Sequence, residues 1–107
     1  MPDRAAGERA SNRGPLNPLF HEPARLALLS ALAPAADIEF SALLDLTGAS
    51  KSGLSKHLSA LAGAGVITVS PNESDRRGRR IALTPQGRAE FDAYLGRLEQ
   101  IVRSARG

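Results

Sequence analysis

A chain of 107 residues with 42% hydrophobic content is long enough for one modest core and too apolar to stay unfolded. The absence of cysteine excludes a disulfide framework, a thiol redox centre and thiolate metal sites, and with only four aromatics the core must come mainly from leucine and alanine. Fourteen Lys and Arg against eleven Asp and Glu give a formal charge of only +3, so where the charge sits matters more than its sum. No apolar run approaches the roughly 20 residues that span a bilayer. The N-terminal MPDRAAGERASNRGP has no apolar signal core, so a cytoplasmic location with no membrane partner is expected.

Residues 1–15 mix Gly, Pro, Asn, Ser and Arg with little to bury, and read as a mobile tail before one domain over 16–107. Pro23 suits the first turn of a helix, and Leu26, Leu28, Leu29 and Leu32 give it an apolar stripe until Pro34 stops it. The short DIEF alternates as a strand would. Ser41 is placed to cap a second helix, SALLDLTG, which Gly48 ends. After only GAS, Ser50 caps a third helix over 51–64, closed by GAG. The period then changes from 3.6 to 2: VITVS and RIALT read as strands, joined by PNESDRRGRR as a long hairpin loop over 71–80. Thr84 and Pro85 open a last helix of about 85–104 as cap and first position. Phe91, Leu95, Leu98 and Val102, with Tyr94 and Ile101 alongside, form an a/d-like seam on it. Two helices joined by a tight Gly-containing turn and followed by a hairpin make a winged helix-turn-helix, mainly α with a small β-hairpin.

The third helix, KSGLSKHLSALAG, has an unusual surface. Leu54, Leu58 and Leu61 share one arc of the helical wheel. Ser52, Ser55, Lys56, Ser59 and Gly63 share the opposite one, with no carboxylate among them. An ordinary solvated face carries Glu and Arg in i, i+4 pairs. Small hydroxyls and ammonium groups instead suit a helix that enters the major groove of DNA, where serine bonds phosphate or base edges and lysine neutralises phosphate. Lys51 lies at one edge of the apolar stripe, and Ser50, which precedes it at the helix N-terminus, is a candidate DNA contact. His57, at the other edge, is either a boundary packing residue or a further DNA contact. The segment DRRGRR adds Arg76, Arg77, Arg79 and Arg80, with Gly78 letting the loop turn back; arginine favours phosphate and narrow-minor-groove contacts.

LTGASKSGLSKHLSALAGAGVITV followed by DRRGRRIALTPQGRAEF resembles the winged helix-turn-helix transcription regulators of MarR and ArsR type, over roughly residues 16–102. SKHL at 55–58 is similar to the recognition-helix core of the ArsR type. Asp75, Arg77, Ile81, Leu83 and Thr84 fill the wing pattern D-x-R-x-x-x-[IV]-x-L-T of the MarR type, with Gly87 following. The resemblance implies a homodimer on a palindromic operator, the third helix in the major groove and the wing arginines on the minor groove. It also implies that Asp75 pairs with an arginine to shape the wing, leaving Arg76, Arg79 and Arg80 to touch DNA. The Cys motif of ArsR metal sensors is absent, and the chain is shorter than full-length MarR proteins. The dimer interface is therefore expected on the last helix, at Phe91, Tyr94, Leu95, Leu98, Ile101 and Val102, and no effector is assigned.

No Ser/His/Asp constellation, phosphate loop or paired carboxylates mark an enzyme, and no cofactor is expected. The alternative to a DNA-binding regulator is a winged-helix adaptor whose cationic faces bind an acidic protein.

Overall fold

The structure, a computed structural model, describes residues 16–107 apart from the side chains of residues 75–77. The tail over 1–15, the loop-shaping role of Asp75 and the side chains of Arg76 and Arg77 therefore lie outside the described residues. Helix α1 (Pro23–Leu32) is followed by strand β1 (Ile38–Glu39) and helices α2 (Phe40–Thr47) and α3 (Lys51–Gly63). The hairpin β2 (Ile67–Asn72) and β3 (Asp75–Leu83) leads into the long helix α4 (Pro85–Arg106). The strands form one antiparallel sheet in the order β1-β3-β2. This is a winged helix.

Local chemistry sets most boundaries. Pro23 opens α1, where its missing N–H costs nothing. Gly48 ends α2 at a φ of 67°, a left-handed conformation that only glycine adopts without strain. Ser50 Oγ accepts from the Gly53 N–H at 3.0 Å and so caps α3. Thr84 Oγ1 accepts from the Gly87 N–H at 2.8 Å, with Pro85 at the first position of α4. Ser41 does not cap α2. The cap lies two residues earlier, at Glu39, which makes no side-chain cap bond, because β1 runs straight into the helix.

The larger difference lies at 71–80, expected as a loop. The antiparallel ladder continues through Ser70↔Arg80 and Pro71↔Arg79 to Asn72↔Asp75, with a register irregularity between Pro71 and Asn72. The reversal is a tight turn at Glu73 and Ser74, where Asn72 Oδ1 accepts from the Ser74 N–H at 3.1 Å and from its hydroxyl at 2.9 Å. Pro71 is tolerated because β2 is an edge strand. A solvated hairpin tip needs no apolar residues on either face, so the alternation that marks a strand is absent even though the backbone pairing persists.

The core sits between the helices and the inner face of the sheet. Leu28, Leu29 and Leu32 of α1, Leu43 of α2, Leu54, Leu58 and Leu61 of α3, and Ile81 of β3 are buried in it. Phe20, ahead of α1, inserts edge-on against Phe91 and Tyr94 of α4, with ring centroids 6.0 and 5.6 Å away. Burial pushes the Tyr94 phenol above its ordinary pKa, and its hydroxyl lies 3.0 Å from His21 Nδ1.

One contact joins the hairpin to the last helix with no spare room. A Cβ on Gly87 would overlap the Val66 carbonyl oxygen, with the carbonyl carbon at 2.7 Å and the Cα at 2.9 Å. Gly87→Ala is therefore expected to destabilise the fold by roughly 1–3 kcal/mol or more, read as a lowered midpoint in thermal unfolding. Gly63→Ala, facing open space, is the control that should melt as the wild type does.

Candidate nucleic-acid interface

Leu54, Leu58 and Leu61 anchor α3 in the core, and the opposite face follows from that. Lys51, Ser52, Ser55, Lys56 and Ser59 are all exposed. The ridge they form is free of carboxylates, since no Asp or Glu occurs from Leu46 to Asn72. Ser50 Oγ caps the helix and lies 3.5 Å from Ser52 Oγ, so the N-terminus of α3 is ringed by hydroxyls.

Strand alternation separates Arg79 from Arg80. Ile81 points into the core, and Arg79, two residues earlier, lies on the same side of β3. Arg79 lines a groove between α3 and the hairpin with Ser55, Ser59, Ala62 and Val69, floored by Phe40 and Leu58. It also borders an adjoining hollow with Lys51, Ser41, Gly78 and the one carboxylate there, Glu39. The serine ridge and this arginine therefore face one space. Arg79 Nη1 donates to the neighbouring Gly78 carbonyl at 3.1 Å, and among the described residues no carboxylate pairs with it.

Arg80 lies on the opposite face of the sheet. Its Nε donates to Asp37 Oδ1 at 2.6 Å, Nη2 lies 2.5 Å from the same oxygen, and Nη1 lies 3.5 Å from Glu39 Oε1. The hydrogen bond to Asp37 is the main cause that pushes its pKa further up. The expectation that Arg80 stands free with the other wing arginines is corrected by this arrangement. A loop would have let Arg79 and Arg80 point one way, whereas β3 puts them on opposite faces, and two carboxylates occupy Arg80.

His57 resolves toward packing. Its Nδ1 accepts from Arg25 Nε at 2.9 Å, and its Nε2 lies 3.7 Å from Glu22 Oε1. Arg25 also donates to the Leu19 carbonyl at 3.2 Å, tying the entry of α1 to the back edge of α3. Periodicity gave no sign of Arg25, because a single arginine in an amphipathic helix carries no pattern. The expected seam on α4 is also divided. Phe91 and Tyr94 are spent inside the protomer's own core, which corrects their place in an intermolecular surface. Leu95 and Leu98 are half-buried, while Ile101 and Val102 are exposed. Leu95, Leu98 and Val102 line a shallow groove with Glu99, Arg103 and Arg106.

Among the described residues, no group of three His, Cys, Asp or Glu is placed to hold a metal ion, and no helix is long and apolar enough to cross a membrane.

Comparison with known proteins gives the same frame. No curated protein sequence matches the chain. Among solved structures, a transcriptional regulator homologue from Pyrococcus horikoshii OT3 superposes with a TM-score of 0.76 at 21% identity, over 81% of this chain and 87% of that one. A mutant of MarR from E. coli, complexed with operator DNA, gives 0.73 at 24% identity, over 95% and 72%. A probable transcriptional regulator from Pseudomonas aeruginosa gives 0.71 at 27% identity, over 95% and 77%. The sequence profile of the winged helix DNA-binding domain matches residues 24–102. The chain belongs to that winged helix DNA-binding family, with a MarR-type architecture.

Proposed function

We propose that the chain is a sequence-specific transcription regulator that binds double-stranded DNA as a homodimer in the cytoplasm. The observation that carries this is the shared groove: Ser55 and Ser59 of the exposed, carboxylate-free ridge border one space with Arg79, and Lys51 borders the adjoining hollow with the same arginine. In this reading α3 lies in the major groove, about 12 Å wide. One DNA strand's phosphates run between α3 and the hairpin. Serines and lysines reach base edges and phosphates, while Arg79, with Arg76 and Arg77 of the same wing, follows the backbone into the minor groove. Operator DNA bound by the similar E. coli MarR supports the class of partner.

A single such module reads few bases, so a second copy supplies specificity. The exposed Ile101 and Val102, with Leu95 and Leu98 beside them, are the surface for it. Two half-sites of a palindrome would then lie about 34–36 Å apart, one helical turn.

Affinity measured by fluorescence anisotropy across a salt series tests the DNA assignment. Log affinity should fall steeply with log salt, by about 0.9 for each phosphate neutralised. Flat dependence would favour an adaptor for an acidic protein. Lys56→Ala should weaken operator binding by about 1–3 kcal/mol if it reads a base, while stability stays within about 0.5 kcal/mol because the side chain is exposed. Arg79→Ala should weaken binding to all sequences alike and reduce the salt slope by about 1. Sedimentation velocity at micromolar concentration should show a dimer that Val102→Asp splits, and a monomeric wild type would refute the dimer.

A further inference from the structure

We infer that Arg80 is a positioning residue: Asp37 and Glu39 hold it so that the wing is set against the recognition helix, and it makes no contact with DNA itself. This rests on the DNA-binding reading above and deepens it.

The geometry is that of a clamp. All three guanidinium nitrogens are engaged, two by Asp37 Oδ1 at 2.6 and 2.5 Å and the third by Glu39 Oε1 at 3.5 Å. Arg80 belongs to the central strand β3 and stands directly opposite Glu39 of β1 in register, with Ser70 of β2 on its other side. It is therefore bound by groups on the edge strand β1 and on the residue just before it, while its own backbone carries the wing.

What the clamp joins matters more than its strength. Backbone pairing of β1 with β3 is confined to Ile38↔Ile81 and Glu39↔Arg80, a short ladder for the element that begins the helix-turn-helix. Glu39 is also the N-cap of α2, and α2 passes through Gly48, Ala49 and Ser50 into α3. A shift of β1 along β3 would carry α2 and α3 with it and change the width of the groove that Arg79 and Ser55 share. The side-chain clamp supplements a ladder too short to fix that register alone.

The charge balance argues against a direct phosphate contact. Two carboxylates against one guanidinium leave this outer face locally acidic, which repels phosphate. The stretch that contains α3, from Leu46 to Asn72, carries no carboxylate of its own. The side chains of Arg80, Asp37 and Glu39 are each between 37% and 45% exposed, so the clamp is screened and adds little to global stability. Its removal should loosen geometry without unfolding the domain.

The full chain carrying Asp37→Asn, Arg80→Ala or both tests this, with a duplex selected from a random-sequence pool as the DNA probe. Each single substitution should lower affinity by about fivefold, and the double substitution by no more than either alone, because both remove one coupled unit. The salt slope should stay at the wild-type value. An Arg80→Ala slope reduced by about 0.9 would show a phosphate contact and overturn the inference. So would tighter binding by Asp37→Asn, since freeing a guanidinium that touches DNA strengthens it. A DNA-free arm separates the two readings. In Asp37→Asn, amides of Ile38, Glu39, Arg80 and Ile81 should exchange faster with solvent while the melting temperature holds. Faster exchange together with no salt-dependent DNA binding by the wild type would remove the DNA-binding reading and keep the clamp; unchanged exchange would remove the clamp.

Discussion

The burial of one face of α3 is the constraint from which the rest follows. Leu54, Leu58 and Leu61 are held by α1, α2 and the inner face of the sheet, and this fixes the rotation of the helix about its own axis. Once those three are inside, the 100° step of a helix leaves Ser52, Ser55, Lys56 and Ser59 no choice but to face outward. Serine is a mediocre helix former whose hydroxyl competes for backbone groups. Four of them are tolerated around α3 because tertiary packing, with Ser50 itself acting as the cap, stabilises the helix without help from its surface. The core thus frees the exposed face to be chosen for what it touches.

Charge is partitioned by the same architecture. The stretch from Leu46 to Asn72 contains no acidic residue, while Asp37 and Glu39 are occupied by Arg80 and Glu22 lies at the back edge of α3. A net charge of only +3 hides this arrangement, since the acidic residues are kept off one face rather than outnumbered everywhere. Arg25 and His57 complete the picture: the polar atoms where α3 meets α1 satisfy each other, so the interior edge of the helix has no need of solvent.

Elements with strong local chemistry were legible. Gly48, Ser50 and the Thr84-Pro85 pair mark helix ends by mechanisms that need no tertiary knowledge, and all three act as the residues imply. The leucine stripe of α3, and with it the exposed ridge, was legible for the same reason. Three things were not. Pro71 to Arg80 lacks apolar alternation, so a paired hairpin looked like a loop. The face on which each arginine lies depends on strand parity, which a loop assignment erases, and the partners of Arg80 are some forty residues away in sequence. Phe91 and Tyr94 fit an intermolecular seam as well as an internal one, and it takes tertiary packing, with Phe20 edge-on against both rings, to turn them inward. Sequence spacing defines a face but does not name what covers it.

The close approach of Gly87 to the Val66 backbone has a mechanical consequence. α4 rises about 1.5 Å per residue, so its 22 residues make a rod of roughly 33 Å whose near end is seated on the hairpin. A pivot of ten degrees at that seat would swing the far end by about 6 Å over a rod of this pitch and length. The absence of a side chain at the fulcrum removes the slack that would permit such a swing. Two copies joined along these rods would behave as a stiff caliper, intolerant of a base pair added between half-sites.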